Sequence, residues 1–462
     1  MIHGTTARPA RCRGLLLGAV VAALASADAA PVHAAPVHTA PSAPRMHATL
    51  LRSEPAKGAT IASPPARIYL VFSEEVEPSL GRIRLVGPGG RVVTLKPTGD
   101  PRNVSAMVAS VSTPLAAGTW RVEWRIVSED GHPIDGDFTF AIGDARGDSG
   151  IAATPPTPMP SNDTTVTHDS VAGHAQRTHE AESAMNDVPL LPAALRGLGM
   201  GMLTALVGLL WFLGTRRDRA PQPHAARLGS KLSITTAVLL VLHLVVWALA
   251  VSPDGTLGGE QMSAMLGSHV GQMEVARAAL AVLACWALVL ARRERLAIAF
   301  AVAAIAVSAA TGHSAAIHPA WTIPAHGLHL LAVAAWLGGL LWLLTLERSS
   351  MDVVVSEAQR VSSLALVGVI LVSLTGLVQT KFFIGEWGEL VRSTYGAVAL
   401  TKVAGLGVLV LFGAHHRFRV MPRLAESGVA DRITRTLRTE VVILSLVILV
   451  GGLLAYIPPP QR

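Results

Sequence analysis

Apolar positions along this chain fall into two regimes. Between residues 47 and 142 they come in short runs, at 68–72, 83–86, 92–95, 107–111, 120–125 and 138–140. Gly and Pro punctuate the runs, as at Gly87-Pro88-Gly89-Gly90 and Ala116-Ala117-Gly118. Short strands at this spacing predict an antiparallel β-sandwich of roughly one hundred residues. Beyond residue 188 the apolar runs lengthen to the ~20 residues that cross a bilayer. Eight such segments are predicted, at about 190–214, 231–252, 270–291, 295–311, 323–346, 359–380, 395–415 and 439–457, the fourth being the shortest. The expectation is an all-β sandwich followed by an all-α polytopic membrane bundle of about eight helices.

Basic residues orient the bundle. Arg216, Arg217, Arg219, Arg227 and Lys231 follow the first span; Arg292, Arg293 and Arg295 follow the third; Arg348 and Arg360 follow the fifth. Arg417, Arg419, Arg423, Arg432, Arg435 and Arg438 follow the seventh, while the loops after spans two and four lack Lys and Arg. The positive-inside rule then makes the odd-to-even loops cytoplasmic and puts both ends of the bundle outside. An N-terminal segment agrees. Arg8, Arg11 and Arg13 precede an apolar run at 15–24 and the small residues Ala25-Ser26-Ala27, the pattern of a secretory signal peptide over 1–27. Residues 28–46 are rich in Ala and Pro and repeat Ala-Pro-Val-His, so a disordered tail is expected. Residues 143–187, with His168, His174 and His179, read as a flexible linker. Domains are therefore expected at 47–142 and 188–462.

Composition changes this picture little. Half of the 462 residues are apolar and 15% are charged. The net charge of +7 would raise nucleic acid as a partner, but the cations sit in membrane loops and orient the bundle, so none is expected. Cys12 lies in the leader and Cys285 inside span three, which leaves the outer domain to fold by burying apolar surface.

Candidate chemistry begins at Asp130-Gly131-His132. Gly131 permits a tight turn, and its neighbours can present a carboxylate and an imidazole to one point. His47, opening the folded segment, could add a second imidazole, and such an N/O set suits Cu(II). By spacing alone, a solvated hairpin turn explains the same residues. In the membrane domain His313, His318, His326 and His329 fall near the outer ends of spans four and five. His326 and His329 are i,i+3 and share a helical face. Imidazoles at this depth are costly unless paired, buried or used, so interhelical hydrogen bonding and a metal pathway both remain open. His269 and Met273 at the mouth of span three could contribute a soft ligand. His243 and Lys402 are intramembrane polar groups expected to satisfy neighbouring helices, and Met200 and Met202 are expected to pack.

The run His47-Ala48-Thr49-Leu50-Leu51-Arg52-Ser53-Glu54-Pro55-Ala56, with Val71-Phe72-Ser73-Glu74, Gly118-Thr119-Trp120-Arg121-Val122-Glu123-Trp124 and Asp130-Gly131-His132-Pro133, closely resembles the CopC family of periplasmic copper-binding proteins. The resemblance covers about 47–142. It implies a cupredoxin- or immunoglobulin-like sandwich and a Cu(II) site at His47, Asp130 and His132. In that family the opening His usually becomes the mature N-terminus and its amine also binds copper. Here Arg45-Met46 precedes it, so the site is expected to be weaker or to recruit another ligand. Met107 is the main candidate for a thioether ligand, and no Met-rich Cu(I) site is visible. His326-Gly327-Leu328-His329, the following Leu330 to Gly339, and the stretch from Phe382 to Leu390 with Thr394-Tyr395-Gly396 and Lys402 resemble the CopD family of copper-resistance membrane proteins. Those two resemblances imply copper capture outside and copper passage or acquisition at the membrane, with His326 and His329 as the bundle residues carried over; by position alone, His313 and Met273 could join them.

The expected activity is copper binding and transport in copper homeostasis at a bacterial inner membrane, with copper ions, lipid and periplasmic copper donors as partners. No nucleophile–base set presents itself, and an enzyme is not expected. The alternatives are a membrane haem or electron-transfer protein with axial His ligands, and a copper-sequestering or sensing module without transport.

Overall fold

The computed structural model describes residues 48–128, 131–143, 190–216, 221–252, 255–346, 350–420, 429–457 and 459–460. The expected signal peptide, the tail, His47, Asp130 and the linker from 144 onward lie outside the described residues.

Among the described residues nine strands build the sandwich: β1 (Leu50–Glu54), β2 (Thr60–Ile61), β3 (Arg67–Phe72), β4 (Arg82–Val86), β5 (Val92–Leu95), β6 (Thr98–Asp100), β7 (Asn103–Ser110), β8 (Gly118–Val127) and β9 (Pro133–Ile142). One sheet has the order β1-β3-β7-β6 and the other β2-β9-β8-β4-β5. All pairings are antiparallel except the short β2–β9 pair. Alternation along β8 shows why the sequence folds this way. Trp120, Val122, Trp124 and Ile126 point inward and are buried, while Arg121, Glu123 and Arg125 point away from the core. Facing them are Ile68, Leu70 and Phe72 of β3, and Phe72 meets Trp124 edge to face at 5.1 Å. Each such buried side chain contributes ~1.5–3 kcal/mol. The Trp120 indole N–H is buried yet satisfied by the Ala116 carbonyl at 2.9 Å. Met107 lies fully inside this core, so its thioether is a packing group.

Eight long helices follow: α1 (Leu190–Thr215), α2 (Pro223–Val251), α3 (His269–Cys285), α4 (Glu294–Ala309), α5 (Pro319–Thr345), α6 (Met351–Ile384), α7 (Thr394–His415) and α8 (Val429–Leu454). Seven are long and apolar enough to cross a membrane; α4, at 16 residues, is the shortest, as its sequence foretold. Apolar surface gives no drive to assemble inside a bilayer, so close backbone approach must supply the contact. Gly208 of α1 and Gly338 of α5 make that approach: a Cβ on Gly208 would lie 1.8 Å from the Ala334 carbonyl oxygen. Gly197 and Gly452 play the same part between α1 and α8. Thus α1 becomes the central helix, packed on α2, α4, α5 and α8. Met200 packs against the resulting core, as expected of it.

Candidate metal site at the sandwich–bundle junction

The sandwich rests on one end of the bundle, at the segments that follow α2, α4 and α8. Leu80 and Val127 of the sandwich join Trp247, Ala248, Val251 and Met265 of the bundle in one apolar cluster. Polar contacts surround it. The Arg125 guanidinium donates to the Ala250 carbonyl at 2.6 Å, and the Trp247 indole donates to the Gly131 carbonyl at 3.0 Å. Glu77 accepts from the backbone N–H of His269 at 3.3 Å, where α3 begins. Lys96 and Glu260 pair at 2.7 Å on the rim. That hydrogen bond and charge hold the Glu260 carboxyl below the usual carboxylate range. This is the bundle end whose loops after spans two and four lack Lys and Arg.

Gly131 and His132 therefore face the membrane domain. Gly131 adopts φ +88°, and its N–H donates to the Ser128 carbonyl at 2.8 Å. The Ser128 N–H and hydroxyl both donate to the His132 carbonyl, at 3.0 and 3.1 Å, fixing the residue where β9 starts. The His132 ring is 7% exposed. It packs edge-on against Tyr456, 4.7 Å between centroids, and lies 6.2 Å from the His313 ring.

Beneath this contact the mouth of the bundle is polar. His313 follows Gly312 (φ +71°), and its Nε2 lies 3.2 Å from the Ile457 carbonyl. The rings of Phe383 and Tyr395 stand 6.3 and 6.4 Å away. His326 and His329 continue inward along α5, one turn apart. Their anchors are hydroxyls on different elements: His326 Nδ1 meets Ser314 at 2.8 Å, and His329 Nδ1 meets Thr375 of α6 at 3.0 Å. His318 is exposed and stacks near Phe382 at 5.0 Å, off this line. Met273 is half-buried on α3, a helix that packs on α2 and α4. Exposed His269 is engaged through its backbone. Among the described residues, no three His, Cys, Asp or Glu side chains converge on one point.

Sequence reasoning passed over a buried chain behind Tyr456. The Tyr456 hydroxyl meets His243 Nε2 at 3.0 Å, and His243 Nδ1 meets the Arg277 guanidinium at 2.9 Å. The Glu274 carboxylate also lies 3.4 Å from His243 Nδ1, so the imidazole sits between the tyrosine hydroxyl and the Arg277–Glu274 pair. Arg277 also pairs with Glu274, three residues before it on α3, and all three side chains are buried. Arg196 of α1 lies over the opposite side of this group, 5.9 Å from the Tyr456 ring. An Asp/Glu–Arg pair within an apolar span was the available signal. His243 satisfies neighbouring helices, as its position in the sequence suggested.

Comparison with known proteins places both halves. The CopC domain family matches residues 50–143, and the family of copper resistance protein D matches residues 356–454. Copper resistance protein C of Pseudomonas syringae pv. tomato is 37% identical over 105 residues, covering 21% of this chain and 80% of that protein. The chain belongs to the CopC–CopD copper-resistance family. Both modules stand in one polypeptide, as in the copper transport protein CutJ of Bacillus subtilis, 25% identical over 441 residues that make up 90% of this chain and 75% of the relative. Copper resistance protein D of Pseudomonas syringae pv. tomato is 30% identical over 169 residues, 33% of this chain and 54% of that protein. The relatives carry names of copper handling, and the seven apolar helices with the CopD match make this a multi-pass membrane protein.

Proposed function

We propose that this protein captures Cu(II) on its outer sandwich at the inner membrane and passes copper into the bundle, as a transporter in copper homeostasis. His47, Asp130 and His132 hold the ion, an N/O set suited to Cu(II). Copper then moves by ligand exchange to His313, and onward to His326 and His329, with no change of oxidation state required at the junction. One observation carries this reading: the 6.2 Å between the His132 and His313 rings. An ion about 2 Å from one nitrogen of each of two imidazoles puts their centroids about 4.5 Å apart when they bind side by side and about 6 Å apart when they bind from opposite sides, so the pair fits an ion held between opposed rings. His313 thus stands where a site lacking the N-terminal amine would recruit its further ligand. Docking keeps donor and acceptor together, so transfer need not await a diffusional encounter.

The haem alternative gains nothing from this geometry. Axial ligands approach from opposite faces of the macrocycle, whereas His326 and His329 project from one face of one helix. Sequestration without transport is separated by experiment. Reconstituted parent protein should load vesicles with copper; His313→Ala should still bind one Cu(II) but load none. Equal loading by the variant would overturn the handover.

A further inference from the structure

At the opposite, arginine-rich end of the bundle lies a cavity of about 960 Å³ among α5, α6, α7 and α8. Its walls are apolar, with Leu340, Val361, Val369, Leu409, Val410 and Leu437 among them. We propose that it is a specific site for an anionic phospholipid, with an acyl chain in the apolar cavity and the phosphate on Arg417, Arg435 and Arg438.

Three features point to that occupant. First, the walls open toward lipid. Only 6% of the apolar window of α7 and 17% of that of α8 is buried, against 67% for α1. An acyl chain seated there would make dispersion contacts with the apolar lining. Second, the polar groups at its end sum to a positive charge. Arg417, Arg435 and Arg438 line it and are exposed. Arg435 and Arg438 are i,i+3 and share a helical face. Arg417 stands in a π-helical turn over His416–Val420 at the end of α7 and lines the same cavity, its guanidinium donating to Ser362 of α6 at 3.1 Å. Guanidinium groups match phosphate oxygens in a two-pronged fork. Third, the carboxylate among its described lining residues, Glu440, is buried, whereas the three arginines are exposed. Glu440 accepts from the Trp336 indole at 3.1 Å and pairs with His416 Nδ1 at 3.0 Å, while His416 Nε2 meets Thr436 at 2.7 Å.

The same charges weigh against the other occupants. A copper ion would sit beside three guanidinium groups. A second copy docked here would bring like-charged arginine ends together, a juxtaposition that disfavours association. Anionic headgroups lie at this depth of a membrane, and basic pockets between helices on the positive side recognise them. The proposal does not depend on the copper reading.

The test is native mass spectrometry of the full-length protein in detergent, equilibrated with equal amounts of phosphatidylglycerol and phosphatidylcholine. The parent should retain phosphatidylglycerol and not phosphatidylcholine. Replacing Arg417, Arg435 and Arg438 by Lys preserves topology but removes the fork, and retention should fall at least fivefold. Ala365→Phe fills the cavity and leaves the arginines in place, and it should lower retention similarly. Arg292→Gln with Arg293→Gln, at the same end but outside the cavity, should change nothing. Equal retention of the two lipids, undiminished retention in both cavity variants, or a lipid-free dimer of the parent would overturn the proposal.

Discussion

His132 and Tyr456 meet edge to face across the boundary between sandwich and bundle, 4.7 Å between ring centroids. The contact joins the outer domain's candidate copper ligand to a tyrosine whose hydroxyl continues into the buried His243, Arg277 and Glu274. Movement of the His132 ring on binding or releasing copper would be felt at Tyr456. The hydrogen bond between His243 and the Tyr456 hydroxyl orients the ring against which His132 packs.

Tyr456→Phe tests that arrangement. The ring against His132 is kept, but the buried His243 Nε2 loses its hydrogen-bond partner, a cost of ~1–3 kcal/mol. Thermal unfolding in detergent should show the loss, while Cu(II) affinity stays within a few-fold of the parent. An unchanged unfolding temperature would mean that the His243–Tyr456 bond is not a structural support.

The outer site is tested by His132→Ala, which should weaken Cu(II) binding by more than about tenfold, the scale on which metal sites respond even to loss of outer-shell partners. His168→Ala, in the expected linker, should leave affinity unchanged. Competition titration reads both, and parental affinity in the His132 variant would remove it from the ligand set.

The sandwich itself was legible because its alternation is local: Trp120, Val122, Trp124 and Ile126 recur at every second position of β8, and the inward face follows. The shared face of His326 and His329 was legible for the same reason. The approach of His132 to His313 was not, since it depends on how two separately folded units dock. No periodicity encodes that. Docking rests on Trp247, Arg125 and an apolar cluster, each of which reads in sequence as ordinary core, surface or span. Glu274 and Arg277 were within reach, being charges i,i+3 inside an apolar span, but partners in other helices become visible only in three dimensions.

Docking should depend on the buried contacts rather than the rim. Trp247→Phe removes the hydrogen bond to Gly131 and should cost ~1 kcal/mol, raising amide exchange in the turn around Gly131 and His132. Glu260→Gln should do far less, because the Lys96–Glu260 pair is exposed and screened by salt. The sign of its pH dependence follows from the lowered Glu260 carboxyl. A depressed carboxyl stabilises above its unfolded pKa, and that contribution disappears as pH falls through the folded value. Parent and Glu260→Gln should therefore converge below the ordinary carboxylate range. A larger exchange response in the Glu260 variant than in Trp247→Phe would reverse this ranking.

The membrane histidines make the last test. His326 and His329 each meet a hydroxyl through Nδ1, Ser314 and Thr375, which orients the rings; on the proposed pathway Nε2 would be the metal-binding nitrogen. Neither is needed for insertion, because α5 is long and apolar without them. Replacing both by Ala should abolish copper accumulation while the protein remains in the membrane at parental levels and the sandwich still binds Cu(II). Replacing Ser314 and Thr375 by Ala leaves the imidazoles but frees their orientation, so accumulation should fall without disappearing. That graded order separates ligands from structural groups: if the histidines only knit helices together, the hydroxyl variant and the histidine variant should lose stability alike and copper accumulation should follow protein level in both. Parental copper accumulation by the double histidine variant at parental abundance would confine the copper role to the outer domain.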